Sequence, residues 1–196
     1  MFALNGSHTL IRLSDKSKLT LNGETRLYPG SSLILVGNGR LTLGNNFRMN
    51  QQSLIFCGYS VTFGNNCSIG WQCQIYDSNM HFVYNRNNNT IGNCYGKIEI
   101  GDNVWICNRA TVSKGAVLPP YSILSTGAYC NKDWSYIETQ GNLFVGSPCR
   151  FLKDGFFRIF NQKTQDDLYA FFDNNLDVPV MKCEENLDYR SLLNKD

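Results

Sequence analysis

Residues 97–133 read KIEIGDNVWICNRATVSKGAVLPPYSILSTGAYCNKD, and a six-residue ruler laid from Ile100 lands on Ile106, Val112, Leu118 and Leu124. The strands of an antiparallel sandwich alternate with period two and show no such register. Upstream, the ruler passes through Leu43, Met49, Ile55 and Val61, slips two residues to Phe63, and continues through Ile69 and Ile75 to His81. Leu21, Leu27 and Leu33 obey it as well. Gly or a small polar residue follows many of these positions, as in Leu43-Gly44, Phe63-Gly64, Ile69-Gly70, Ile100-Gly101 and Ile106-Cys107. A unit of this kind holds one short strand and a corner with its aliphatic residue inside, so three units close a triangular turn of about 18 residues. Successive turns then stack at the strand spacing of about 4.8 Å. The pattern predicts an all-β chain folded as a parallel β-helix.

The composition agrees. The chain has 196 residues, 42% hydrophobic and only 17% charged, which suits one globular core. Its charge balance of 18 − 16 = +2 lacks the basic excess of a phosphate-backbone binder, so nucleic acid is not an expected partner. Asn (23) and Gly (17) fill the place of charged residues, and both tolerate the left-handed backbone of tight corners. Gly44-Asn45-Asn46, Gly64-Asn65-Asn66 and Gly101-Asp102-Asn103 repeat one corner chemistry. The longest aliphatic run is Leu33 to Val36, far short of the roughly 20 residues of a spanning helix. Met1 to Leu13 carries no signal-like apolar stretch, so no membrane span and a cytoplasmic location are expected. Eight cysteines form no Cys-x-x-Cys pair and read as free, mostly buried thiols, and no metal site is expected.

The expected organisation is an N-terminal cap at 1–18, the repeat at 19–149, and a tail at 150–196. Residues 78–97 break the ruler and contain Asn85, Asn87, Asn88 and Asn89, so they read as a loop thrown out of one coil. After Arg150 the repeat ends. Phe156, Phe157, Ile159 and Phe160 then precede a segment at 163–172 suited to a short helix, and this mostly helical tail is expected to cap the coil stack.

The segment quoted above resembles the signature of the bacterial hexapeptide-repeat acyltransferases, left-handed β-helix enzymes that use acetyl-coenzyme A. In layout it is most similar to the galactoside, maltose and polysaccharide O-acetyltransferases, and the similarity runs from about Leu43 to Leu152. The left-handed sense is implied by this resemblance, not by the period. Members carry a catalytic His on a loop leaving the coil, and the run from Ile69 through Asp77-Ser78-Asn79-Met80 to His81 matches that arrangement. His81 is thereby implied as general base. An imidazole of pKa about 6.5 can take the proton of a weakly nucleophilic hydroxyl as it attacks a thioester. Asp77, four residues earlier, is a candidate to orient the imidazole or bind the acceptor. Asn50 lies 14 residues before Gly64, where sugar O-acetyltransferases of the family place an Asn beside the acetyl group.

The resemblance also implies a homotrimer that binds the coenzyme in the groove between neighbouring subunits. Trp105 is placed as family members place an aromatic. Asn108 and Thr126 are 18 residues apart, one full coil, and would offer backbone groups to the pantetheine arm. Lys132 and Arg150 suit phosphates or the adenosine end, Arg150 closing Gly146-Ser147-Pro148-Cys149-Arg150, a close copy of the family's Gly-x-Pro-x-Arg. Asn131 stands where relatives often have a coenzyme-contacting Thr, and Phe82 replaces the Pro that often follows the catalytic His. The expected reaction is acetyl-coenzyme A-dependent O-acetylation of a sugar, surface polysaccharide or precursor. The alternatives are N-acetylation of an amino sugar or other small amine, and a β-helix acting only as a scaffold.

Overall fold

In the computed structural model, residues 8–183 and 187–193 are described. They fall into two compact units, Met1–Phe156 and Phe157–Asp196. The first unit is a parallel β-helix with three faces. Face one stacks the strands Leu10–Leu13, Ser32–Leu35, Leu54–Cys57, Gln74–Tyr76, Thr111–Ser113 and Tyr129–Cys130 in that order. Face two stacks Lys18–Leu21, Arg40–Leu43, Ser60–Phe63, Ile98–Ile100 and Val117–Leu118. Face three stacks Thr25–Leu27, Phe47–Met49, Ser68–Ile69, Trp105–Ile106, Ile123–Leu124 and Leu143–Val145, and ends on the antiparallel strand Arg150–Lys153. We call the turn from face one to face two the first corner, from two to three the second, and from three to the next coil the third.

The ruler works because each step moves to the next face. Ile100, Ile106, Val112, Leu118 and Leu124 visit faces two, three, one, two and three, and all five side chains are buried. Each inward position then becomes a column, such as Met49-Ile69-Ile106-Leu124-Phe144 on face three. The Phe47 and Phe63 rings meet edge to face at 5.0 Å across the interior. Coil length is less regular than the ruler. Ser32 pairs with Leu54, 22 positions on, Leu54 with Gln74, 20 on, and only Thr111 with Tyr129, 18 on. The longer coils carry longer strands, and Val61 and Phe63 lie two apart on the single strand Ser60–Phe63, both buried, which is where the ruler slips.

Leu21 departs from its expected core place and is 51% exposed. Its strand is the first of face two, at the N-terminal edge of the stack, and among the described residues no coil lies beyond it to cover the inward side. The stack already includes Leu10–Leu13, within the segment read as a cap. In the second unit one helix spans Gln162–Asp173, with Asn161 as N-cap accepting from the Thr164 amide at 2.8 Å, and a shorter one spans Tyr189–Leu193. Among the described residues no helix is long and apolar enough to cross a membrane.

The corners explain the Gly-Asx repeat. Asn65 Oδ1 accepts from the Asn45 amide at 2.9 Å, Asp102 Oδ1 from the Asn65 amide at 2.6 Å, and Asn108 Oδ1 from the Trp71 amide at 3.2 Å. Each corner side chain thus satisfies an amide of the coil before it. The glycine beside that amide makes room: a Cβ on Gly64 would lie 2.3 Å from Asp102 Oδ1. Asn46, Asn66 and Asn103 follow in the left-handed region at φ 57, 58 and 58.

Candidate active site

At the first corner of the fourth coil, the chain leaves the stack. Gln74 pairs with Thr111, 37 positions on, where the uninterrupted coils pair 18 to 22 on. The surplus forms an arm. It opens with a bridge between Ser78 and Tyr95 and ends in an antiparallel hairpin of Val83–Asn85 and Thr90–Gly92. The tip turns through Asn87 and Asn89, with the Asn87 amide on Asn85 Oδ1 at 2.9 Å and Asn89 at φ 56. His81 stands on the outgoing limb between bridge and hairpin, exposed to solvent, and among the described residues no protein hydrogen bond occupies its imidazole. Phe82, Val83, Tyr84 and Ile91 around it are also exposed.

Asp77 sits at the root of this arm and is fully buried. Its Oδ1 accepts from the Gly58 amide at 2.7 Å, and Oδ2 accepts from Tyr59 at 2.8 Å, Ser60 at 2.7 Å and the Cys57 thiol at 3.5 Å. Burial first, and then the Asp77 charge, push the Cys57 thiol up to about 12. The acceptor contact expected of Asp77 is therefore not open in this structure, because its carboxylate is turned inward onto the preceding coil.

A second set of residues lines the third corner. Asn50 is half-buried just after its face-three strand, with its amide on Ile69 O at 3.0 Å. Asn108 stacks over Thr126 as the 18-residue spacing requires, since Trp105 and Ile106 pair with Ile123 and Leu124, and the Gly127 amide donates to Asn108 O at 3.1 Å. The 146–150 turn continues this column: the Tyr129 amide donates to Gly146 O at 3.0 Å, and the Cys149 amide to Tyr129 O at 2.7 Å. Thr126 and Arg150 are exposed. Trp105 points outward on the adjoining face three, half-buried between Ser68 and Ile123. Sequence reasoning passed over two neighbours here, the exposed Trp71 and the side-chain ladder Gln52-Gln72-Arg109, linked at 3.0 Å and 3.0 Å. Their signal was the spacing of the corners, in which Gln52, Gln72 and Arg109 share the left-handed position.

Asn131 and Lys132 lie at the first corner, on the side of the stack where the arm leaves. Lys132 Nζ stands 4.5 Å over the Trp134 ring and 5.5 Å over Tyr136, a cation held by aromatic faces with its charge exposed. The neighbouring Cys130 and Cys149 thiols act on each other, Cys149 and then burial raising Cys130, while Cys130 lowers Cys149. One chain thus gathers Asn50, Asn108, Thr126 and Arg150 at the third corner, and the His81 arm, Asn131 and Lys132 at the first, with face one between them.

A crystallised hexapeptide-repeat-containing acetyltransferase of Vibrio cholerae superposes with a TM-score of 0.54, at 21% identity, over 66% of this chain and 70% of its own. The chain shares the fold of that protein. A second crystal structure of that Vibrio protein, in complex with acetyl-coenzyme A, gives a TM-score of 0.50 at 16% identity over 69% of this chain and 70% of its own. The galactoside O-acetyltransferase of Escherichia coli strain K12 is 27% identical over 115 residues, 57% of this chain and 53% of its own length. The match thus spans about half of that relative. No protein-family model matches the chain.

Proposed function

We propose that the protein is an acetyl-coenzyme A-dependent O-acetyltransferase acting on a hydroxyl of a sugar, surface polysaccharide or its precursor. The observation that carries this reading is His81, exposed on an arm thrown from a solenoid of acetyltransferase fold, with no competing hydrogen-bond partner for its imidazole among the described residues. Acetyl-coenzyme A brings an activated thioester carbonyl. His81 takes the proton of the acceptor hydroxyl as the oxygen attacks that carbonyl, and the leaving thiolate receives the proton back from the imidazolium. Direct transfer needs both substrates bound at once, so positioning supplies much of the rate.

The third-corner column fits the coenzyme as donor. Its exposed backbone at Thr126 suits the amides of a pantetheine arm, and Arg150 suits phosphate. Lys132 supplies a second cation from the first corner. Two corners of one chain carry the two halves of the site, which favours a site completed between copies, in a homotrimer. The outward side of face one supports this, because Ile34, Phe56, Tyr76, Leu54 and Tyr129 make it apolar and aromatic beside the exposed arm.

The test is thiol release with a panel of sugars and amines. His81→Ala is expected to lose at least about 10²-fold in kcat while still binding coenzyme A. Near-normal turnover in that variant removes His81 as base. Transfer to amines alone, with little dependence on His81, replaces the O-acetyl reading with N-acetylation, and no binding at millimolar coenzyme A replaces both with a scaffold.

A further inference from the structure

We infer that Asp77 is a positioning residue, a carboxylate clamp that fixes the arm to the preceding coil and so sets where His81 stands. The inference rests on His81 being the base proposed above. Three consecutive amides, Gly58, Tyr59 and Ser60, point into one hollow of the first corner, and the Asp77 carboxylate fills it with contacts of 2.7, 2.8 and 2.7 Å. Successive amides of a turn form an anion-binding concavity, and here the anion comes from the chain itself. The same residue grips the returning limb, since Asp77 O accepts from the Gly96 amide at 2.9 Å. One residue therefore joins the coil, the outgoing limb and the returning limb.

From this root the constraint runs outward without a gap. Ser78 bridges Tyr95, the Asn79 amide donates to Cys94 O at 2.9 Å, and the Met80 amide to Ser78 Oγ at 2.9 Å. His81 is the next residue. The hairpin beyond it buries none of its residues, so the direction of the limb is decided at the root and not at the tip. Packing on the outer side of the root is equally close: a Cβ on Gly58 would lie 2.8 Å from a Tyr95 ring carbon. Without the carboxylate, three corner amides lose their acceptor and the turn must reorganise to satisfy them.

Asp77→Asn keeps the size of the side chain but sets an amide donor against the hollow's donors. It is expected to lower kcat by about 10- to 100-fold, the cost of a misplacement near 1 Å, with KM for acetyl-coenzyme A unchanged within about twofold. Hydrogen exchange of residues 78–97 should rise while that of 32–57 stays as in the parent. Gly58→Ala leaves the carboxylate in place and pushes on Tyr95 instead. It is expected to give the same loss confined to kcat, with Tyr95→Ala in the same chain restoring it. Parent-like kcat in Asp77→Asn, or a joint loss of kcat and coenzyme affinity with faster exchange throughout the coils, overturns the clamp. Near-normal turnover of His81→Ala would instead remove the catalytic reading; the exchange of 78–97 in Asp77→Asn still decides whether the clamp exists.

Discussion

At the scale of single residues, the repeat is an economy of corner amides. Gly64 is small because Asp102 Oδ1 occupies the space a Cβ would need, and that oxygen is there because it bonds the Asn65 amide at 2.6 Å. Gly64→Ala is therefore expected to destabilise the fold by about 2 kcal/mol, read as a lower urea midpoint at unchanged slope, because the contact is with a hydrogen-bonded carboxylate oxygen and with the backbone at Gly101 and Asp102 behind it. Cys57 offers a second test. Its thiol holds its proton more tightly in the folded chain than its ordinary value of 9.0 allows, up to about 12. Stability from the neutral thiol is complete below about pH 9 and is lost as pH rises toward 12. Urea titrations across that window should show a decline that Cys57→Ala makes shallower. The Gly-Asx triplets were legible in the sequence as corners. That their side chains bond the coil before, and not their own turn alone, was not, because the partner amide lies 20 or 37 positions away.

At the scale of elements, faces and arm differ in what holds them. The strands of the first unit are short, several of two residues, and gain stability from columns of buried side chains more than from local propensity. The hairpin of Val83–Asn85 and Thr90–Gly92 buries nothing. Replacing residues 82–92 with a short Gly-Ser turn is expected to move the thermal midpoint by less than about 3 °C, measured by circular dichroism, since no core contact is removed. The arm was legible as an interruption of the ruler at 78–97. Its hairpin was not, because Val83-Tyr84 and Thr90-Ile91 are too short to show a period. Asp77 shows the same limit. Its position four residues before His81 suggested a partner for the imidazole, and only the fold reveals that Gly58, Tyr59 and Ser60 claim the carboxylate.

At the scale of the whole molecule, the split of candidate residues between two corners makes assembly the decisive question. A homotrimer is expected in solution, with light scattering after gel filtration giving roughly three times the 22.2 kDa chain. A charge on the outward side of face one, as in Phe56→Glu, is expected to shift that mass to the single chain and abolish transfer while leaving the coil spectrum intact. The sequence by itself determined the coil: inward aliphatics every six residues leave a chain with few charges and many Asn and Gly little choice but to stack, since each coil buries its interior only against neighbours. The interruption of the ruler at 78–97 also marked a loop, and the family resemblance implied His81 within it as a candidate base. Only the tertiary structure decided which corner each candidate occupies, that Asp77 faces inward, and that Leu21 is left open at the end of its face. Those outcomes depend on which coil lies next to which, and coils of 22, 20, 37 and 18 residues place distant positions side by side in a way no fixed ruler records.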